Sequence, residues 1–140
     1  MILLGSEIIS ALKTHMPEVS VSDAYSVSVP KCPQFVIDER PGNDGAYIDG
    51  LPCVTRNLIT LEVYAKDMMI SGEPTKKRDA ALKFLMEADS FLNERFGLTM
   101  TGNISIAPYE DQTIFRAVAN YTVYIDKRTN HIYRRVKNYG

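Results

Sequence analysis

The sequence predicts an α+β fold, a mainly antiparallel β-sheet with two helices packed on one face and an extended β-hairpin. Three observations predict it. From Phe115 to Ile125 the apolar residues fall on every second position: Phe115, Ala117, Ala119, Tyr121, Val123 and Ile125. That is a long strand with one face on a core. Two other segments, 2–15 and 74–96, carry apolar residues at helical spacing instead. The order along the chain is then helix, several strands, helix, two strands, which packs helices onto an antiparallel sheet.

Each element follows from local chemistry. In 2–15, Leu4, Ile8, Leu12 and Met16 recur every four residues with Ile9 beside them, and Met16-Pro17 ends the helix. Residues 19–29 alternate: Val19, Val21, Tyr25, Val27 and Val29 against Ser20, Ser22, Ser26 and Ser28, a strand or bent hairpin with one wet face. Pro30 and Pro33 bracket a bend before the strand QFVIDER at 34–40. Residues 41–56 hold three glycines and two prolines and are expected to form the hairpin loop. In 57–67, Ile59, Leu61, Val63 and Ala65 face in, while Thr60, Glu62, Tyr64 and Lys66 face out.

The second helix, 74–96, has Pro74 in its expected first turn and Gly97 as its stop. Ala81, Leu82, Leu85, Ala88, Leu92 and Phe96 form its apolar stripe. Lys76, Lys77 and Arg78 crowd its start, where the helix dipole disfavours cations. Residues 98–106 alternate as one further strand, with Leu98, Met100, Ile104 and Ile106 on one side. After the final strand, the segment 127–140 reads as a basic arm, too short and too charged for a core strand.

Length and composition bound the function. A chain of 140 residues is expected to make one domain, 1–140, around one core. Its formal net charge of −1 implies no general affinity for nucleic acid or membrane. No apolar run approaches the ~20 residues that span a bilayer. The start, MILLGSEIISALKTHM, lacks a basic n-region and a small-residue cleavage site, so it reads as a helix of the mature protein and not as a signal peptide. Cys32 and Cys53 are too few for a disulfide framework or a cysteine metal site, which suits a cytosol-like compartment. His15 and His131 match no ligand spacing.

Reactive motifs are missing from the sequence: no GxxxxGK[ST], GxGxxG, CxxC, HExxH or GxSxG occurs. Glu62 and Lys66, with Asp38 and Glu39 on the preceding strand, come nearest to a nuclease-like hairpin site. That chemistry needs acid and lysine two residues apart; four residues of strand separate them by about 13 Å. Asp44 and Asp49 lack the ligand density of a calcium site. No catalytic, metal or cofactor residue is expected. The basic end, Lys127, Arg128, Arg134, Arg135 and Lys137 with Tyr133 and Tyr139, suits either phosphate and base contacts or a protein interface. The neutral whole chain favours the protein interface.

Several of these segments resemble the tail terminator (tail completion) proteins of long-tailed bacteriophages. LEVYAKD at 61–67 looks like the central strand of that family. The second helix with GLTMT at 97–101 looks like its helix and following turn, and DQTIFRAVANYTVYID with HIYRR is similar to its last strand and tail. The likeness covers about 60–137; before that only element order and the hairpin agree. The resemblance implies a non-enzymatic structural protein of the virion tail, made in the host cytoplasm. It implies a ring, expected to be hexameric, on the head-proximal end of the tail tube, with the tube protein, the head-tail connector and, in a contractile tail, the sheath protein as partners. The resemblance further implies that DNA passes through the lumen without specific binding and that no membrane is involved. Interface candidates are Asp38, Glu39, Asp44, Tyr47 and Asp49 around the hairpin and Lys127, Arg128, Tyr133, Arg134 and Arg135 at the arm. Another ring protein of the virion neck and a nucleic-acid-binding module are the alternatives.

Overall fold

Alternate residues of three long strands point into one core, and both helices close over it. The structure, a computed structural model, describes residues 4–24, 30–48, 51–126 and 132–133, except the side chains of 43–48, 51–53 and 133. In chain order the elements are α1 (Gly5–His15), β1 (Ser20–Asp23), β2 (Gln34–Ile48), β3 (Leu51–Ala65), β4 (Met68–Ile70), β5 (Glu73–Thr75), α2 (Lys77–Phe96), β6 (Thr99–Met100), β7 (Ser105–Ala107), β8 (Phe115–Asp126) and β9 (Ile132–Tyr133). The main sheet runs β1-β2-β3-β8-β6, with β7 and β9 also paired to β8. All its pairings are antiparallel except β1 with β2, which is parallel. The fold is α+β, as the sequence predicts.

The period-two pattern is realised residue by residue. Ile59, Leu61, Val63 and Ala65 of β3 are fully buried. So are Ala117, Ala119, Tyr121 and Ile125 of β8, and Phe115 is half-buried. They meet Ile8, Leu12 and Met16 from the first helical segment and Ala81, Leu85, Ala88 and Leu92 from α2 in one cluster. The helices also touch each other, His15 stacking on Phe91 with ring centroids 4.2 Å apart. Tyr121 ties the layers together by donating its hydroxyl to Asp89 on α2 at 2.7 Å. Burial, and then the Asp89 carboxylate, push that hydroxyl's pKa well above the ordinary tyrosine range.

Five local expectations are corrected. Residues 41–56 are ladder, not loop: β2 runs to Ile48 and β3 starts at Leu51. Register shifts after Pro41, Asp44 and Ala46 absorb the prolines and glycines as bulges. Gly42 is one reason the ladder survives, because a Cβ there would stand 2.3 Å from the Arg56 carbonyl oxygen. Gly42→Ala is therefore expected to cost about 1–3 kcal/mol of stability through backbone displacement, read as a lower urea midpoint; an unchanged midpoint would show that the hairpin yields freely.

Pro74 lies in β5 and not in a helical turn, since residues 68–75 form a separate small hairpin, β4–β5. Ser71 and Gly72 both have positive φ, the backbone that a two-residue hairpin turn demands. Helix α2 then starts at Lys77, whose N–H donates to the Asp67 carboxylate at 2.7 Å. That carboxylate offsets the cations of the first turn. The predicted stop at Gly97 holds, with φ of 69° and its N–H donating to the Asn93 carbonyl.

The segment 98–106 is broken at Gly102 into β6 and β7, and Ile106 is exposed rather than inward. The basic arm folds back in part. Ile132 and Tyr133 pair with Ile125 and Tyr124, and Ile132 packs on the main core. The second half of 19–29, with Tyr25, Val27 and Val29, lies outside the described residues.

Candidate interaction surface

The sheet face away from the helices divides into two halves of different character. The half around the first residues of β2 and β8 is engaged mostly in its own contacts, with the buried Arg116 Nε left without a hydrogen-bond partner among the described residues. Arg116 pairs with Glu62 at 2.5 Å, and the Tyr64 hydroxyl donates to the same carboxylate at 2.7 Å. Tyr109 meets Tyr64 edge-on, and Val36, Tyr64 and Ile114 form a second small buried cluster with Cys32 against it. Burial, and then Glu62, raise the Tyr64 hydroxyl's pKa above the usual range, so it stays a neutral donor. Burial likewise raises the Cys32 thiol's pKa, which lowers its thiolate fraction. Gln34 donates to Ser22, and Thr60 donates to Asn120. This corner is a packed network with Glu62 as its hub.

The other half, toward the hairpin tip, is open. Register places Arg40 opposite Leu58 and Leu58 opposite Thr122. One step further along, Arg56 lies opposite Tyr124, and Tyr124 opposite Tyr133. Leu58 is 38% and Tyr124 41% exposed, an apolar pair on the face that alternation reserves for polar groups. Arg40 and Arg56 are exposed beside them. A groove of about 290 Å³ runs between Arg40, Gly42, Arg56, Leu58 and Thr122. Arginine and tyrosine around exposed apolar surface is the composition enriched at protein interfaces.

The expected site residues fare differently. Asp38 is half-buried on this face and pairs with Arg40 at 3.4 Å. Glu39 turns to the opposite face and is engaged within the chain. Its carboxylate accepts the N–H groups of Leu4 and Gly5 at 2.7–2.9 Å and the amide of Asn57 at 2.9 Å. It caps α1, which has no cap of its own in sequence. Asp44 and Tyr47 lie in β2 opposite Thr55 and Pro52, with their side chains outside the described set. Asp49, Lys127, Arg128, Arg134 and Arg135 also lie outside the described residues, and Tyr133 is placed by its backbone alone. Asp126, the residue before Lys127, pairs with Val54. The chain therefore leaves β8 at the hairpin-tip end of the sheet.

Sequence reasoning missed Arg40, Arg56, Leu58 and Tyr124. A signal was present: Leu58 and Tyr124 continue the outward phase of their strands while breaking its polarity. Among the described residues no cluster of His, Cys, Asp and Glu is arranged to hold a metal ion, and no helix is long and apolar enough to cross a membrane. A second, larger hollow of about 790 Å³ lies between α1 and α2, lined by Ser10, Thr14, His15, Phe91 and Arg95. Glu7 and Ser6 also line it, and this hollow carries no functional assignment. Compared with known proteins, the chain matches no protein-family model and no curated protein.

Proposed function

We propose that this chain is a structural protein of a long-tailed phage virion. It forms a ring, hexameric in the simplest arrangement, that caps the head-proximal end of the tail tube, stops its growth and offers the docking surface for the head-tail connector. The observation that carries the reading is the open half of the sheet: Arg40, Arg56 and Leu58 of the long hairpin and Tyr124 of the adjoining β8 stand exposed, while much of the rest of that face is engaged in its own contacts. The likeness of 61–67, 97–101 and the last strand to tail terminators supplies the biological setting. A rigid sheet that positions an aromatic-arginine surface suits an assembly role, because such surfaces lose little entropy on docking.

Tails assembled without this protein are expected to show tubes of uncontrolled length. Tails of normal length that join heads in its absence would overturn the proposal. Tails of normal length that fail to join heads would instead assign the chain to another ring of the virion neck.

A further inference from the structure

One strip of helix α2 carries its charges in an unfavourable order, whereas exposed Asp79 in the first turn and Arg95 in the last follow the favourable one. Lys83, Glu87, Ser90 and Glu94 are exposed and fall on one strip by their helical spacing, and exposed Lys76 precedes them at the N-cap. The cations occupy its N-terminal half and the carboxylates its C-terminal half, opposite to what the helix dipole favours. Met86, 51% exposed, flanks the acidic half. Lys83 stands one helical turn before Glu87, but among the described residues no ion pair holds either Glu87 or Glu94, and the methionine is left bare.

The open half of the sheet face has the complementary chemistry. Arg40 and Arg56 are exposed beside Leu58 and Tyr124, and Arg56 has no carboxylate partner among the described residues. Strand geometry puts the two arginine Cα atoms about 8 Å apart. Helix geometry puts those of Glu87 and Glu94 about 10.5 Å apart. Arginine side chains span that difference readily, and Met86 then meets the Leu58–Tyr124 pair.

We infer that these two surfaces bind each other between copies of this chain: the Met86-Glu87-Glu94 strip of one subunit seats on the Arg40-Arg56-Leu58-Tyr124 face of the next. The two patches lie on opposite layers of the domain, so one subunit engages a neighbour on each side. Such a head-to-tail contact closes into a ring when its rotation allows. The inference rests on the ring reading above and specifies its interface.

A charge swap tests it. Wild-type protein is expected to associate in sedimentation experiments as its concentration rises, and to weaken with added salt. The pair Arg40→Glu, Arg56→Glu and, separately, the pair Glu87→Arg, Glu94→Arg should each weaken association at least tenfold. An equimolar mixture of the two variants should recover it, because each reversed face then meets a reversed partner. Glu87→Gln with Glu94→Gln, at exposed helix positions, serves if a reversal variant fails to fold, with the same direction expected. A wild-type chain that stays monomeric at every concentration, a reversal that leaves association intact, or a mixture that does not recover would each overturn this interface. Variants that cap tails as wild type does would sink the interface and leave the capping role standing, since that role falls only with the tail-length result.

Discussion

Leu92→Ala is expected to lower the free energy of unfolding by about 2–5 kcal/mol, and Leu85→Ala by a similar amount. Both side chains are fully buried on α2 and belong to the cluster that joins both helices to β2, β3 and β8. Truncation removes apolar contact and leaves a cavity that the sheet beneath cannot fill, since its strands are held by ladders on both sides. Lys83→Ala, at an exposed position on the same helix, should change stability by less than about 0.5 kcal/mol. Urea unfolding of the three variants measures this. A lysine variant less stable than either leucine variant would show that α2 presents a different face to the core.

Removing the carboxylate of Glu39 is expected to cost about 2–3 kcal/mol, on the scale of hydrogen bonds to charged groups. In Glu39→Ala the N–H groups of Leu4 and Gly5 and the amide of Asn57 lose their acceptor, and Asn57 is fully buried. The start of α1 also loses an anion placed at the positive end of its dipole. Glu39→Gln keeps an acceptor but not the charge, so it should fall between wild type and Ala. The measurement is a urea midpoint with amide exchange along α1, which should quicken first at Ile8 and Ile9. An Ala variant as stable as wild type would return Glu39 to the surface role that its sequence position suggests.

These two residues show where sequence reading succeeds and where it stops. Leu85 and Leu92 were legible because a helix repeats every 3.6 residues, and seven residues apart means the same face. Glu39 looked like one acid among several near the hairpin. Its function depends on a helix start 34 residues earlier in the chain, and no local pattern encodes that meeting. Asp67 repeats the lesson at α2, capping Lys77 across an intervening hairpin. The strands hidden in 41–56 escaped for a related reason. Glycine and proline signal turns, but bulges accommodate them when a flanking strand pairs along the whole length.

The sequence by itself determined the α+β class, the inward residues of β3 and β8, the apolar stripes of both helices and the stop at Gly97. All of these follow from periodicity or from one residue's backbone freedom, and both are local. Only the tertiary structure decided which acids are engaged inside the chain, that β1 runs parallel to β2, and that Ile132 joins the core while Ile106 stays outside. It also decided that Arg40, Arg56, Leu58 and Tyr124 share one open face. That grouping depends on which strand lies beside which and in what register, and register is set by pairing between segments far apart in sequence.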